Sequence, residues 1–388
     1  MPTHLAAISH AKGTPLTVQS RQTPKPGPGD LLIAVKSIAL NPADIAMRDT
    51  GLFITSYPAI LGFDIAGLVL EVGSNVPVAL INGHKASRPL FEPGKTRVAA
   101  YAASVWKSCD PEYGPFQEMC LVPWQHAIPL PDEGISWNEA ATLPVSVQVP
   151  LSAWDALGIL KVGAPTPSSN PSSSNTAVSD KGYKREALLI WGASSSVGSM
   201  GVQTARMLRD DPASDIGAVY ATAGAANHAY VSSLGADRVF NYKDPSVVDE
   251  IVSAASKGGL VVRQCFLATG DLASCQTVLK AFVANSSDEE KEQLPGTIAS
   301  APIIPPNAKA IDGVETIFVM PSMHDEAERL AQFQYWLGTW GRENLANGNI
   351  RPSPKPKVVG KGLEAINAGL DQLARGVTCV KLVVEVAE

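Results

Sequence analysis

Ala187-Leu-Leu-Ile-Trp191 runs into Gly192-Ala-Ser-Ser-Ser-Val-Gly198 and continues as a helix-like segment to about Arg209. An apolar run of strand formers enters a turn of small residues and leaves it as a helix, the context in which such a turn binds a dinucleotide. Gly192 and Gly198 allow the backbone to approach a pyrophosphate closely, and the unpaired amides of a helix start attract its charge. Ser194, Ser195, Ser196 and Val197 complete the turn and are expected at the same ligand. Beyond it, Val197, Gly201, Ala205 and Leu208 recur at helical spacing and form a face for a sheet. An ordinary strand-helix turn has the same local form, so its meaning depends on the flanking chain.

Downstream, strand-like and helix-like segments alternate. Gly217 to Thr222, Arg238 to Asn241 and Leu260 to Leu267 read as strands, with helices at Asn227 to Leu234 and Val247 to Ser256 between them. That alternation implies a parallel sheet covered on both faces. Asp271 to Ala284 reads as a further helix, Gly296 to Ser300 and Gly313 to Met320 as late strands. The tail carries helices at Glu326 to Tyr335 and Gly362 to Leu373, a Pro-rich connection at Arg351 to Pro356, and a last strand at Val380 to Val386 that can return to an earlier lobe.

Upstream the style differs. Pro24-Lys-Pro-Gly-Pro-Gly-Asp30 is a dense turn signal before the strand-like Leu31 to Leu40. Asp64 to Val72, Arg97 to Ala102, Phe116 to Val122 and His126 to Leu130 continue at sandwich or barrel spacing. Ser136-Trp-Asn-Glu139 has the form of a capping box and opens a helix, and another helical segment covers Ser152 to Leu160. Pro165 to Gly182 is mainly Ser, Pro, Asn and Thr and is expected to be a disordered loop.

With 388 residues, 45% hydrophobic and 18% charged, the chain has the composition of an ordered protein of two domains. A net charge of -6 without a Lys/Arg block excludes a nucleic-acid or anionic-membrane footprint. Met1 to Ser9 is too weakly apolar for a secretory signal, and no stretch reaches the length of a membrane span, so a soluble cytoplasmic protein is expected. Five dispersed cysteines lack the close spacing of a structural zinc site or redox dithiol and are expected as free buried thiols.

Taken together, Asn41-Pro-Ala-Asp44, Leu61-Gly-Phe-Asp-Ile-Ala-Gly67, Glu71-Val-Gly73, Ala140-Ala-Thr-Leu-Pro144, the Gly192 to Gly198 turn and Leu234-Gly-Ala-Asp237 resemble the medium-chain dehydrogenase/reductase superfamily. The resemblance is to its zinc-independent quinone and enoyl reductase branch, nearest the trans-acting enoyl reductases of fungal secondary metabolism. It implies an α/β protein: a GroES-like β-rich catalytic domain over residues 1–146 and 322–388, and a Rossmann domain of doubly wound parallel sheet over 147–321. Where zinc-dependent relatives carry Cys and Gly-His-Glu, this chain has Asn41 and Gly62-Phe63-Asp64, so no metal is expected.

Without a metal to stabilise an alkoxide, reduction of an activated C=C is the expected chemistry. Hydride adds to the β-carbon, charge moves to the carbonyl oxygen, and the protein orients the partners and donates hydrogen bonds. By resemblance Asn41 lies beside the nicotinamide as a catalytic and cofactor residue, and a turn-forming Asn before Pro is its structural alternative. Asp44 is read as buried framework. The Lys that several enoyl reductases carry two positions after this Asp is Ala46 here, with Arg48 and Tyr57 as substitutes.

The end of the second Rossmann strand, Thr222-Ala-Gly-Ala-Ala-Asn-His228, offers no acid for the ribose hydroxyls of NAD, so NADP(H) is expected. Relatives commonly meet the 2'-phosphate with a Lys or Arg where this chain has Ala226. Thr222, His228, Tyr242 and Thr269 are the remaining cofactor candidates, with a solvated histidine the alternative for His228. Expected partners are a small-molecule or carrier-bound enoyl substrate, the latter on a polyketide synthase, with the chain a monomer or homo-oligomer. A cofactor-binding template or cyclase with little turnover and a quinone reductase are the competing readings.

Overall fold

The structure, a computed structural model, describes residues 2–78, 89–159, 186–283 and 295–386. The chain divides into two compact units, Met1–Gln148 with Ser322–Glu388, and Val149–Pro321. The Pro165 to Gly182 loop expectation lies outside the described residues.

The first unit begins with β1 (Thr3–Ser9) and β2 (Thr17–Gln22), then β3 (Asp30–Ala39), α1 (Pro42–Thr50), β4 (Ala59–Ile60), β5 (Asp64–Val72), β6 (Arg97–Tyr101), β7 (Met119–Pro123), β8 (Ala127–Pro129) and α2 (Trp137–Ala141). β3 and β5 are long because they are buried on both faces: Leu31, Ile33, Ile38, Ile65 and Val69 are wholly excluded from solvent. Each such side chain contributes roughly 1.5–3 kcal/mol relative to exposure. The capping box at Ser136 forms, with the Glu139 amide on Ser136 Oγ (3.2 Å) and Glu139 Oε2 accepting the Ser136 amide (2.9 Å).

Helix α3 (Pro144–Ala156) starts in the first unit and ends in the second. The second unit continues with β9 (Glu186–Trp191), α4 (Ser196–Asp210), β10 (Ile216–Ala223), α5 (His228–Ser233), β11 (Arg238–Asn241), α6 (Val247–Lys257), β12 (Gln264–Leu267), α7 (Leu272–Val283), β13 (Gly296–Ser300) and β14 (Val314–Phe318). The strands form one parallel sheet in the order β11-β10-β9-β12-β13-β14. Counted within this unit, that is the doubly wound order 3-2-1-4-5-6. The two faces of β9 pack differently. Leu189 and Trp191 join Ile251, Cys265 and Leu279 in one core, while Gly201 of α4 brings its backbone down on Phe266 and Ile190. A Cβ at Gly201 would lie 2.9 Å from the Phe266 ring, so this helix-sheet approach requires glycine. Gly201, Ala205 and Leu208 are buried as their spacing requires, and Val197 is half-buried. Strand β12 is shorter than Leu260 to Leu267 because Val261 contributes only an isolated bridge to Glu186.

The tail belongs to the first unit: α8 (Glu326–Phe333), a π-helical turn (Gln334–Gly341), α9 (Arg342–Ala346), β15 (Pro356–Lys361), α10 (Ala365–Ala374) and β16 (Lys381–Glu385). Its larger sheet has the order β15-β16-β3-β5-β6-β8 with β7 on β3, and a smaller one has the order β2-β1-β4. The helix expected to stop near Tyr335 instead continues to Ala346. Phe333 stacks on buried His126 at 3.9 Å between ring centroids and meets Tyr101 in a tilted contact at 4.8 Å, and Trp336 and Leu337 are buried alongside. Burial holds the His126 imidazole at about 3, and thus neutral. All five cysteines are free, but only Cys109, Cys120, Cys265 and Cys275 are buried as expected, Cys379 being half-buried in the turn before β16; no helix among the described residues is long and apolar enough to cross a membrane.

Candidate functional site

Strand register in the first unit brings three distant segments together. Ala39, the last residue of β3, pairs with Asp64 at the head of β5 and with Val383 of β16. Asn41, just past β3, Asp64, and Lys381 at the head of β16 therefore meet at one end of the sheet. Lys381 Nζ donates to Asn41 Oδ1 (2.5 Å) and Asp64 Oδ2 (3.1 Å). Asn41 Nδ2 donates to Asp64 Oδ2 (3.0 Å) and to the Ala39 carbonyl (3.3 Å). The Val145 amide donates to Asp64 Oδ1 (2.8 Å). An ammonium has no lone pair to offer, so the Lys381 contact fixes which end of the Asn41 amide is oxygen.

Asn41 also caps α1. Asp44 Oδ2 accepts the Asn41 backbone N–H (2.7 Å), one half of a capping box. Asp44 is wholly buried, and its Oδ1 has no partner among the described residues. Burial, opposed by the Asn41 amide and Lys381, pushes its carboxyl up to about 8. Burial also raises Asp64 above the ordinary carboxylate range, against the pull of Lys381, the Val145 amide and Asn41. Asn41 is thus placed as the hub of a buried network whose two amide hydrogens are both donated within the protein. Arg48 is held by Asp49 (2.7 Å) and Asp371 (2.8 Å), and Tyr57 is exposed. The network's cation, Lys381, has only one signal in the sequence: a lone charge at the head of an apolar strand.

In the second unit the turn after β9 is built by backbone constraints. Gly192 has φ +82, and a Cβ there would lie 2.5 Å from the Thr269 carbonyl. A Cβ at Gly198 would lie 2.3 Å from the Gly192 carbonyl. Thr222 at the end of β10 clasps the turn, its Oγ1 accepting the Gly192 amide (3.0 Å) and its carbonyl the Ala193 amide (2.8 Å). Ser195 caps α4, its Oγ accepting from Gly198 N (3.1 Å). The helix geometry leaves the first amides, Ser196 and Val197, without intrahelical acceptors. Ser196 Oγ is itself buried and has no partner among the described residues. A close backbone, two helix-start amides and an orphaned hydroxyl form a donor set that fits a pyrophosphate.

The other candidates sit around the carboxyl edge of the same sheet. His228 Nε2 lies 3.2 Å from the Ala223 carbonyl, so the ring braces the end of β10. Tyr242 is exposed just past β11, and Thr269, also exposed, lines the Gly192 turn with its backbone. Among the described residues no group of three or more His, Cys, Asp or Glu side chains gathers as a metal site.

The alcohol dehydrogenase GroES-like domain matches residues 27–132. Trans-enoyl reductase tndF of Aspergillus flavipes is 37% identical over 384 residues, covering 98% of each chain. Trans-enoyl reductase tazE of Aspergillus terreus is 38% identical over 328 residues, 84% of this chain and 94% of tazE. Among solved structures, an alcohol dehydrogenase superfamily protein from Novosphingobium aromaticivorans superposes with a TM-score of 0.69 at 18% identity, covering 99% of this chain and all (100%) of that one.

Proposed function

This chain belongs to the medium-chain dehydrogenase/reductase superfamily, in the family of the fungal trans-enoyl reductases, and we propose that it is an NADPH-dependent reductase of the activated C=C of an α,β-unsaturated carbonyl, acting in trans on a carrier-bound intermediate of polyketide-type metabolism. The observation that carries the reading is the Gly192 to Gly198 turn at the head of α4, clasped by Thr222 and lined by the unsatisfied Ser196 hydroxyl. When bound, the nicotinamide supplies the hydride that adds to the β-carbon. The protein's part is to hold the pyrophosphate on the Ser196 and Val197 amides and to keep the turn narrow through Gly192 and Gly198.

In the first unit, the donor set at Asn41 argues for metal-free chemistry. An amide, two carboxylates and an ammonium meet there, and Lys381 already provides the cation that neutralises Asp64. Lys381, by binding Asn41 Oδ1, holds the Asn41 side chain in one orientation, so the backbone at the start of α1 is fixed. Preference for NADPH follows from the lack of any carboxylate between Thr222 and His228.

The test mixes purified protein with α,β-unsaturated thioesters of increasing chain length and follows cofactor and enone absorbance together. Matched loss of NADPH and enone, one for one, is the expected outcome. Product formed without cofactor consumption would point instead to a template or cyclase role, and reduction confined to quinones to a quinone reductase.

A further inference from the structure

We propose that Arg329 is an anion anchor of the first unit, its guanidinium taking the phosphate of a phosphopantetheine arm whose thioester end carries the enoyl group. The inference rests on the proposed reading of a thioester substrate. It adds the residue that recognises the part of that substrate remote from the reacting bond.

Arg329 is 7% exposed, a degree of burial at which an arginine is almost always paired. Among the described residues it has no carboxylate within ion-pair distance. Its one hydrogen bond there runs from Nη1 to the Ser322 carbonyl (3.0 Å), which leaves Nε and Nη2 as unused donors. The carboxylates at the head of α8 are engaged elsewhere. Asp325 caps the helix by accepting the Glu328 amide (3.0 Å), Glu326 pairs with Lys107 (3.0 Å), and Glu328 accepts from the Ser322 hydroxyl (2.8 Å). Glu326 lies within electrostatic reach of Arg329 as well, but its hydrogen bond belongs to Lys107. A desolvated cation whose own helix offers it no counter-ion is a receptor for an external one.

The cation is also held in place. Arg329 Cζ lies over the Trp106 ring at 4.9 Å from its centroid, within cation–π range, and Trp106 ends the short helical turn Ser104–Trp106 that follows β6. A guanidinium over a ring keeps its in-plane N–H edge for other partners, and that fork matches the paired oxygens of a phosphate. Phe333, one turn further along α8, meets Tyr101, which contacts Phe63 at 5.6 Å and pairs with Asp64 across β5 and β6. Packed rings thus connect Arg329 with the network of Asn41, Asp64 and Lys381. A pantetheine arm and its thioester are neutral, so the phosphate is the one group on such a substrate that this cation can hold as an ion pair.

The test compares one enoyl acid as its pantetheine and phosphopantetheine thioesters, reading KM and kcat for the native protein, Arg329→Gln and Arg329→Lys. The native KM should be about tenfold lower for the phosphorylated thioester. Arg329→Gln should bring the two KM values together, and Arg329→Lys, which keeps the charge but not the fork, should keep part of the difference. The same acyl group on coenzyme A and on an isolated carrier domain shows which source supplies the arm, and Arg329→Gln should raise the KM of the preferred one. Calorimetry of phosphopantetheine against pantetheine on the native protein needs no variant and should show the same preference. Equal native affinity for those two overturns the assignment, as does a preference that Arg329→Gln leaves intact at the native Tm. Preferential binding of phosphopantetheine by a protein that reduces neither thioester would sink the reductase reading while leaving the anchor standing.

Discussion

Lys381 and Asp64 are a buried ion pair at 5% and 0% side-chain exposure, closed through Asn41. Removing one partner leaves an uncompensated charge or forces the other to protonate, which costs about 3–5 kcal/mol. Lys381→Met should therefore lower unfolding stability by that order in urea titrations, and adding Asp64→Asn should restore part of it. Strict additivity of the two changes would show that they do not interact. Asp44 adds a pH dependence with a definite sign. Its carboxyl sits at about 8 against an ordinary 3.8, so the folded state holds a proton that the unfolded chain releases between those values. Its contribution is full below about pH 4 and lost as pH rises towards 8. Asp44→Asn, which keeps an oxygen for the Asn41 amide, should flatten the decline in stability between pH 5 and 8. An unchanged slope would mean that Asp44 is ionised in the fold.

At the scale of the element, the start of α4 separates folding from binding. Ser196 Oγ is buried and unsatisfied among the described residues, and such a group costs about 1–3 kcal/mol. Ser196→Ala should leave Tm equal or higher while weakening NADPH binding several-fold; a fall in Tm with unaltered binding would make the hydroxyl structural. Gly198→Ala forces a Cβ against the Gly192 carbonyl at 2.3 Å and should damage both, raising the NADPH dissociation constant more than tenfold. This turn was legible in sequence because strand, small residues and helix are contiguous. Asn41-Pro-Ala-Asp44 was less so: it forms a helix start with Pro at N1, where a turn was the local reading. β2 and β15 were not legible at all. Both are sheet-edge strands without a buried residue, so neither shows the alternation that burial imposes, and β15 begins with Pro356. Lys381 was missed because its partner Asn41 lies 340 positions away, joined only through the β16–β3 register.

At the scale of the molecule, each unit carries its own part of the account: a charge-balanced polar network in the first, a glycine-walled anion cradle in the second. The alternation after Ala187 announced the parallel sheet and its order, since each strand must be followed by a helix that covers it. The first unit's closure was only partly foreseeable, because a late strand can be recognised without showing which edge it joins. The central claim is that hydride passes from a nicotinamide to the β-carbon of an enoyl group. Incubation with NADPH deuterated at C4 on the transferred face and an enoyl thioester, followed by mass spectrometry and NMR of the product, tests it directly. Each stereoisomer of the labelled cofactor is supplied in turn. One deuterium at the β-carbon from one of the two is predicted; a saturated product without label from either, or an enoyl thioester recovered unreduced across chain lengths, would contradict it.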